Sequence, residues 1–314
     1  MLSIIDNGMY DLITIYKQTK ETIKYENLIK VSPIIKTDTK EIVTYAQLQN
    51  MRIVERLGSV SIKGSLAKYF LGNNINTLTR LETKWAIEQM QDDLGINLQN
   101  SNVYRIDIAS NFIMKHPYKN YFDFLIDAPY TKKGYISDSV YFSNKQRQLI
   151  FYGKIQEMKD KGNPIPKEFI QYKDNMLRYE IRMKKRLKEQ IGNEVKLNDL
   201  YEPNFFKYMV TKWMEDYFSV NKMQRIMLDR KAYSTPKNYK DYLLLKLINE
   251  KGIDNILNDI DANRKEFNSS TGATRCKTMI KELTQLEDYS EPNELIEELN
   301  EKVKVNADYF LSTN

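Results

Sequence analysis

LRYEIRM, residues 177–183, sets Leu177, Tyr179, Ile181 and Met183 at every second position with Arg178, Glu180 and Arg182 between them. Side chains two apart on an extended chain share a face, so the stretch predicts a strand with one apolar and one charged side. VYRIDIAS (103–110) repeats the arrangement: Tyr104, Ile106 and Ile108 make an apolar face, while Arg105 and Asp107 share the other. RQLIFYGK (147–154) puts Leu149 and Phe151 on one side, with Ile150, Tyr152 and, if the strand persists that far, Lys154 on the other. As neighbours in one sheet, these strands would gather a tyrosine, a lysine, two carboxylates and several arginines on one face. Alternating charge on a strand is more often a solvated surface, and with 22 tyrosines no single one stands out by composition.

Before these strands, DLITIYK (11–17), KYENLIKV (24–31), EIVTYAQL (41–48) and SVSIKG (59–64) alternate apolar and polar residues, the signal of half-buried strands. Between 77 and 94, Leu78, Leu81, Trp85, Ile87, Met90 and Leu94 recur at three- and four-residue steps, predicting a helix that Gly95 ends. A short aromatic-rich helix is expected at 118–125. Strands mixed with helices outside a regular βαβ alternation predict an α+β fold on a central antiparallel sheet with flanking helices.

Beyond Leu187 helical patterns dominate, at 203–218, 240–251, 253–260 and 271–286. The expected organisation is a first domain over 1–195, a helical unit over 196–290 and an acidic amphipathic tail over 291–314, with the boundary between 192 and 203. In the ending EDYSEPNELIEELNEKVKV (287–305), Leu295, Ile296, Leu299 and Val303 form a stripe suited to packing on the body or on another chain.

Composition narrows the chemistry. Forty-eight Lys and Arg against 42 Asp and Glu leave a net charge of +6, which favours an anionic partner without specifying one. The lone Cys276 excludes an intrachain disulfide framework and fits a reducing, cytoplasmic setting. No apolar run reaches the roughly 18 residues of a membrane span, and MLSIIDNGMYDL (1–12) carries acidic residues where an export signal would be basic. With His116 the only histidine, paired-histidine zinc sites and Ser-His-Asp triads lose their basis, and any metal would be held mainly by oxygen.

The charged faces suit phosphodiester cleavage. A tyrosine hydroxyl, with a pKa of about 10, is a poor nucleophile until a cation or base favours its phenolate. Lys154 or a metal could serve Tyr152 in that way. A Mg²⁺ or Mn²⁺ ion held by Asp107 and Glu180 would offset charge on the phosphate, and arginines can clamp flanking phosphates bidentately.

These residues also carry a family resemblance. VSIKGSLAKYFLGNN (60–74) resembles the Ser-x-Ala-Lys-x-x-x-Gly-x-Asn block of the gene II replication endonucleases of filamentous phages. YRIDIASNF (104–112) resembles their Arg-hydrophobe-Asp strand, QLIFYGKIQE (148–157) their Tyr-x-Lys-x-x-Glu pattern, and LRYEIRMKKRLKEQIG (177–192) their Leu-x-Arg-x-Glu-x-Arg strand, basic helix and glycine. Four matches in order over residues 58–200 also resemble, more distantly, the rolling-circle plasmid initiators of the HUH type. The His-hydrophobe-His motif of that superfamily is absent, and Asn73 stands where a family histidine is expected.

The resemblance implies a replication initiator that nicks one strand at an origin. Tyr152 would take the 5′ phosphate and free a 3′ hydroxyl, with Lys154 stabilising the phenolate or the phosphate. It further implies Asp107 and Glu180 as metal ligands and Glu157 as a third ligand or a neighbour of the site. Expected partners are single-stranded and origin DNA, with a host helicase and a second copy of the chain as candidate protein partners, and no membrane. A conjugative relaxase shares the chemistry. A non-cutting origin- or operator-binding protein is the rival from another class.

Other features admit two readings each. Arg105, Arg147, Arg178, Arg182, Lys184, Lys185 and Arg186 could grip the DNA backbone, against the simpler reading of a charged, solvated helix for the last of them. IDNILNDIDANRKEFNSSTGATRCKTMIKEL (253–283) reads as helix, turn and helix, which would bring Arg275 and Lys277 to a DNA groove, although any short helical hairpin looks alike. Tyr118, Tyr121, Phe122 and Phe124 could stack on bases, but their helical spacing favours core packing. His116, before Pro117, reads as a loop residue.

Overall fold

A computed structural model describes residues 8–226, 233–286 and 290–313. The first seven residues of MLSIIDNGMYDL and the 287–289 portion of the acidic ending lie outside them. The chain opens with β1 (Tyr10–Gln18), β2 (Ile29–Ile35), β3 (Ile42–Leu48), β4 (Met51–Arg56) and β5 (Ser59–Ser65). Helices α1 (Leu66–Leu71) and α2 (Arg80–Leu94) lead to β6 (Asn102–Ile113), a 3-10 turn at Tyr118–Phe124, and β7 (Leu125–Asp127). Next come β8 (Lys132–Ile136), β9 (Ser139–Ser143), β10 (Arg147–Gly153), α3 (Lys154–Asp160), β11 (Met176–Met183) and α4 (Leu187–Ile191). The later helices are α5 (Pro203–Phe218), α6 (Pro236–Lys251), α7 (Ile253–Ala262), α8 (Gly272–Leu283) and α9 (Glu294–Thr313).

Ten strands form one antiparallel sheet in the order β2-β3-β4-β5-β1-β6-β11-β10-β9-β8. The fold is thus α+β on a central antiparallel sheet, with a helical C-terminal region. β11 runs between β6 and β10, pairing Arg182 with Asp107 and Arg178 with Tyr152. The three strands whose charged faces match are therefore neighbours.

Two local expectations change. Thr77 and Leu78 do not start α2, because their carbonyls accept from the amides of Gly8 and Met9. The helix starts instead at a capping box between Thr79 and Glu82, and its buried face runs through Ala86, Ile87, Met90 and Leu94 while Leu81 and Trp85 are exposed. On β6 the register against β1 slips between Arg105 and Val103, so Tyr104 has no partner across the ladder. Such a bulge re-aims side chains: Val103 is buried, and Tyr104, expected on the apolar face, is 53% exposed.

The core lies on one face of the sheet. Phe151 stacks on Tyr179 with ring centroids 4.8 Å apart, and Tyr179 meets Trp213 of α5 at 5.3 Å. Helix α9 adds Leu299, Val303, Ala307 and Phe310 to the same core, so the amphipathic stripe packs on the body. Helix α5 shares this core although its sequence position suggests the later helical unit. Helices α6, α7 and α8 surround a separate cluster that includes Leu245, Ile248, Ile260 and Ile280 and reaches Ile126 beside the sheet. Among the described residues no helix is long and apolar enough to cross a membrane.

Candidate active site

The opposite face of the central strands is where the charged residues gather, and it is not solvated. Arg178 is 0% exposed, Asp107 and Glu180 are each 2% exposed, and Tyr152 is 6% exposed. Burial of this much charge is unfavourable unless every charge is paired and hydrogen-bonded. The pairing is dense. The Tyr152 hydroxyl donates to Glu180 Oε2 at 2.6 Å, and Arg182 Nε donates to Glu180 Oε1 at 2.5 Å. Arg105 holds Asp107 bidentately at 2.8 and 2.6 Å.

A second set lies next to the first. Arg178 Nη2 donates to Asp11 Oδ2 at 2.6 Å, and its Nε lies 3.5 Å from Glu180 Oε2. Asp11 also accepts from Ser65 Oγ at 2.5 Å and from Asn74 Nδ2 at 3.2 and 3.1 Å. Asn74 in turn accepts from Lys154 Nζ at 2.9 Å, and Lys154 donates to Glu157 at 2.9 Å. Strand β10 ends at Gly153, so Lys154 opens α3 instead of extending the strand. Its ammonium is buried and does not line the pocket. Glu157 lines the pocket with both oxygens engaged, one by Lys154 and the other by Lys161 at 2.5 Å.

A pocket of about 400 Å³ opens over these groups, lined among others by Asp11, Lys68, Asp107, Tyr152, Glu180 and Arg182. A smaller one of about 240 Å³ lies on the other side of Tyr152, beside Tyr141 and Gln156. The nucleophile candidate therefore sits between two concave surfaces.

The electrostatics follow from burial and pairing. Burial pushes the Tyr152 phenol well above its ordinary value, the charge of Glu180 adds to this, and Arg178 opposes it. Burial alone would raise Glu180, but Arg182 and Arg178 outweigh it and hold the carboxyl below its ordinary value. Asp107 is raised chiefly by burial, against the hydrogen bonds from Arg105, with the charge of Glu180 adding. Lys154 is lowered to about 8 by burial and by the neighbouring Arg178. At neutral pH the arrangement holds a protonated tyrosine against an ionised glutamate.

The structure thus brings Tyr152, Asp107, Glu180, Arg105, Arg178 and Arg182 together. Others lie elsewhere. Arg147 pairs with Asp216 of α5 at 2.5 Å. Lys184, Lys185 and Arg186 follow the end of β11 in a turn, with the latter two beside the 144–146 loop. The helix expected to carry them is the short α4, which starts only at Leu187. On α8, Arg275 is exposed and Lys277 is tied to Asp261 at 2.8 Å. Tyr118, Tyr121 and Phe122 are buried in the core, and His116 is an exposed loop residue. Asp11, Ser65 and Asn74 are site residues that received no role from the sequence. For Ser65 and Asn74 the Ser-x-Ala-Lys-x-x-x-Gly-x-Asn block was the available signal, whereas Asp11 has none of its own.

Among the described residues no group of three or more His, Cys, Asp or Glu side chains is arranged to hold a metal ion. Asp107 and Glu180 nevertheless enter one pocket from adjacent strands. Mg²⁺ commonly takes one or two carboxylates from the protein and the rest of its shell from phosphate and water. Here Arg105 holds both oxygens of Asp107, and Arg182 and Tyr152 hold those of Glu180, so this pair fits a metal only where those partners turn from the carboxylates to a bound phosphate.

Residues 15–205 match a family model that describes the N-terminal part of a phage replication-associated protein, the gene II product. No curated protein matches the chain. The family match covers more than half of the sequence, and the chain belongs to this family, whose members are replication initiators of the gene II type.

Proposed function

We propose that this member of the gene II type initiators nicks one DNA strand by direct attack of Tyr152 and later rejoins it. The observation that carries the reading is the Tyr152 hydroxyl donating to Glu180 at 2.6 Å in a pocket bordered by arginines. A buried tyrosine paired to a carboxylate is ordinary in a core; one facing a charged cavity is placed for phosphoryl chemistry.

In the forward step the Tyr152 oxygen bonds to phosphorus as the bond from phosphorus to the 3′ oxygen breaks. The phenol proton leaves along its hydrogen bond to Glu180 as the new bond forms and is returned through water to the departing 3′ oxygen, so Glu180 ends the step ionised. The strand then carries a 5′ phosphotyrosine and a free 3′ hydroxyl, and attack by a 3′ hydroxyl reverses the reaction. Arg178, behind the phenol, favours the developing phenolate, and Arg105 and Arg182 border the space for the phosphate. Burial and Glu180 hold the phenol protonated in the free protein, so its proton leaves during the attack and not before it. A Mg²⁺ or Mn²⁺ ion would be held by Asp107 and Glu180 and would offset negative charge on the phosphate. Lys154 acts at one remove, positioning Asn74 and Glu157.

The nature of the product ends tests this reading. Incubation with single strands of the cognate origin and Mn²⁺ is expected to give a 3′ end that a polymerase extends and a 5′ end that stays with protein through denaturation. A free 5′ phosphate would indicate hydrolysis by water instead.

A further inference from the structure

The cations around the pocket divide into two classes. Arg105, Arg178, Arg182, Lys154 and Lys161 are each held by a carboxylate of the site. Arg52, Lys63 and Lys68 line the same pocket, yet among the described residues none of them makes an ion pair. Lys68 donates only to the neutral Asn163 amide at 3.2 Å, which leaves its charge uncompensated. The pocket's carboxylates offer these three nothing, since Asp11, Asp107, Glu157 and Glu180 are already engaged. Arg52 and Lys63 are directly opposed on β4 and β5 and so share a face, and Lys68 follows on α1, three residues beyond the end of β5. Like charges placed side by side at the rim of a cavity repel one another unless an anion lies between them.

We propose that Arg52, Lys63 and Lys68 form a clamp for the sugar-phosphate backbone of single-stranded DNA, on the β4-β5 side of the Tyr152 pocket. The proposal rests on the reading of that pocket as a DNA-nicking site. It separates two tasks: the paired arginines of β6 and β11 shape the reacting centre, and the unpaired cations of β4, β5 and α1 hold the flanking strand. Since phosphate contacts carry no sequence information, the clamp contributes affinity equally to origin and non-origin strands.

The test uses the full chain carrying Tyr152→Phe, so that binding is read without cleavage. Affinity for a fluorescent origin single strand, and for a scrambled one, is measured across a salt series, with and without Arg52→Ala, Lys63→Ala and Lys68→Ala together. A matched triple of exposed lysines away from the pocket, Lys24→Ala, Lys207→Ala and Lys304→Ala, controls for lost charge, and thermal melts confirm that each chain folds. Each phosphate neutralised on a single strand contributes about 0.7 to the slope of log affinity against log salt. The clamp triple is therefore expected to flatten the slope by about 2, with equal loss on both strands, and the matched triple to leave it nearly unchanged. An unchanged slope in the clamp triple, or the same flattening in the matched triple, overturns the clamp. Adduct formation by the unsubstituted chain is scored separately, so failure of the nicking reading and failure of the clamp are told apart.

Discussion

Arg178 is wholly buried and answers two carboxylates, Asp11 at 2.6 Å and Glu180 at 3.5 Å, while its Nη1 donates to the Asn74 carbonyl at 2.9 Å. Arg178→Met would leave both acids buried without that charge, which should cost about 3–5 kcal/mol. The loss would appear as a lower urea midpoint, and adding Asp11→Asn should recover part of it. Glu157 makes an opposite case, with a sign fixed by its pKa. Burial alone would raise it, but Lys154 and Lys161 bring it from 4.5 to about 2. Its folded value lies below its unfolded one, so its stabilisation is complete above pH 4.5 and is lost as pH falls through about 2. Glu157→Gln should therefore flatten the acid limb of the stability curve, read by urea titrations at successive pH values. That Tyr152, Asp107, Glu180, Arg105, Arg178 and Arg182 share one face was legible because period two sorts a strand's side chains between faces. Asp11 was not, because one acidic residue at the start of an alternating strand looks the same whether it meets water or a buried guanidinium 167 positions away.

The junction of β10 and α3 sets the spacing between Tyr152 and Lys154. At Gly153 the chain passes so close to the Tyr118 ring that an added Cβ would collide with it. Gly153→Ala should displace the junction, destabilising the fold by about 1–3 kcal/mol and slowing adduct formation more than it weakens DNA binding. Retention of full nicking by Gly153→Ala would show that the junction tolerates movement. Strands β6, β10 and β11 could be read from sequence because their apolar faces alternate cleanly. The β8–β9 hairpin escaped notice, since KKGYI and SVYFS are short and their turn at Ser137, with φ of 49°, lacks a glycine. The bulge at Tyr104 has no sequence mark either, as it arises from pairing with β1.

At the scale of the molecule, the face that carries Tyr152 depends on helices packed behind it. Phe310 of α9 is buried against Phe206 of α5, their ring centroids 6.3 Å apart, and Glu298 accepts from Tyr121 at 2.5 Å. Phe310→Ala should cost about 3–5 kcal/mol and lower the melting temperature of the whole sheet unit, although the residue lies far beyond Tyr152 in the sequence. The tail's amphipathic stripe could be read, but its docking place could not, because the stripe fits any apolar surface. The α6–α8 cluster, with its own small core, is expected to exchange amide hydrogens faster than β6 and β11. The proposed function of this architecture centres on Tyr152 as the nucleophile. The most direct test is peptide mass spectrometry of the protein after reaction with cognate-origin single strands and Mn²⁺, comparing the unsubstituted chain with Tyr152→Phe. The account predicts a nucleotide adduct on Tyr152 and, in the substituted chain, nicking reduced by roughly 10⁴-fold or more with binding retained. An adduct on another tyrosine, or undiminished nicking by Tyr152→Phe, would contradict it.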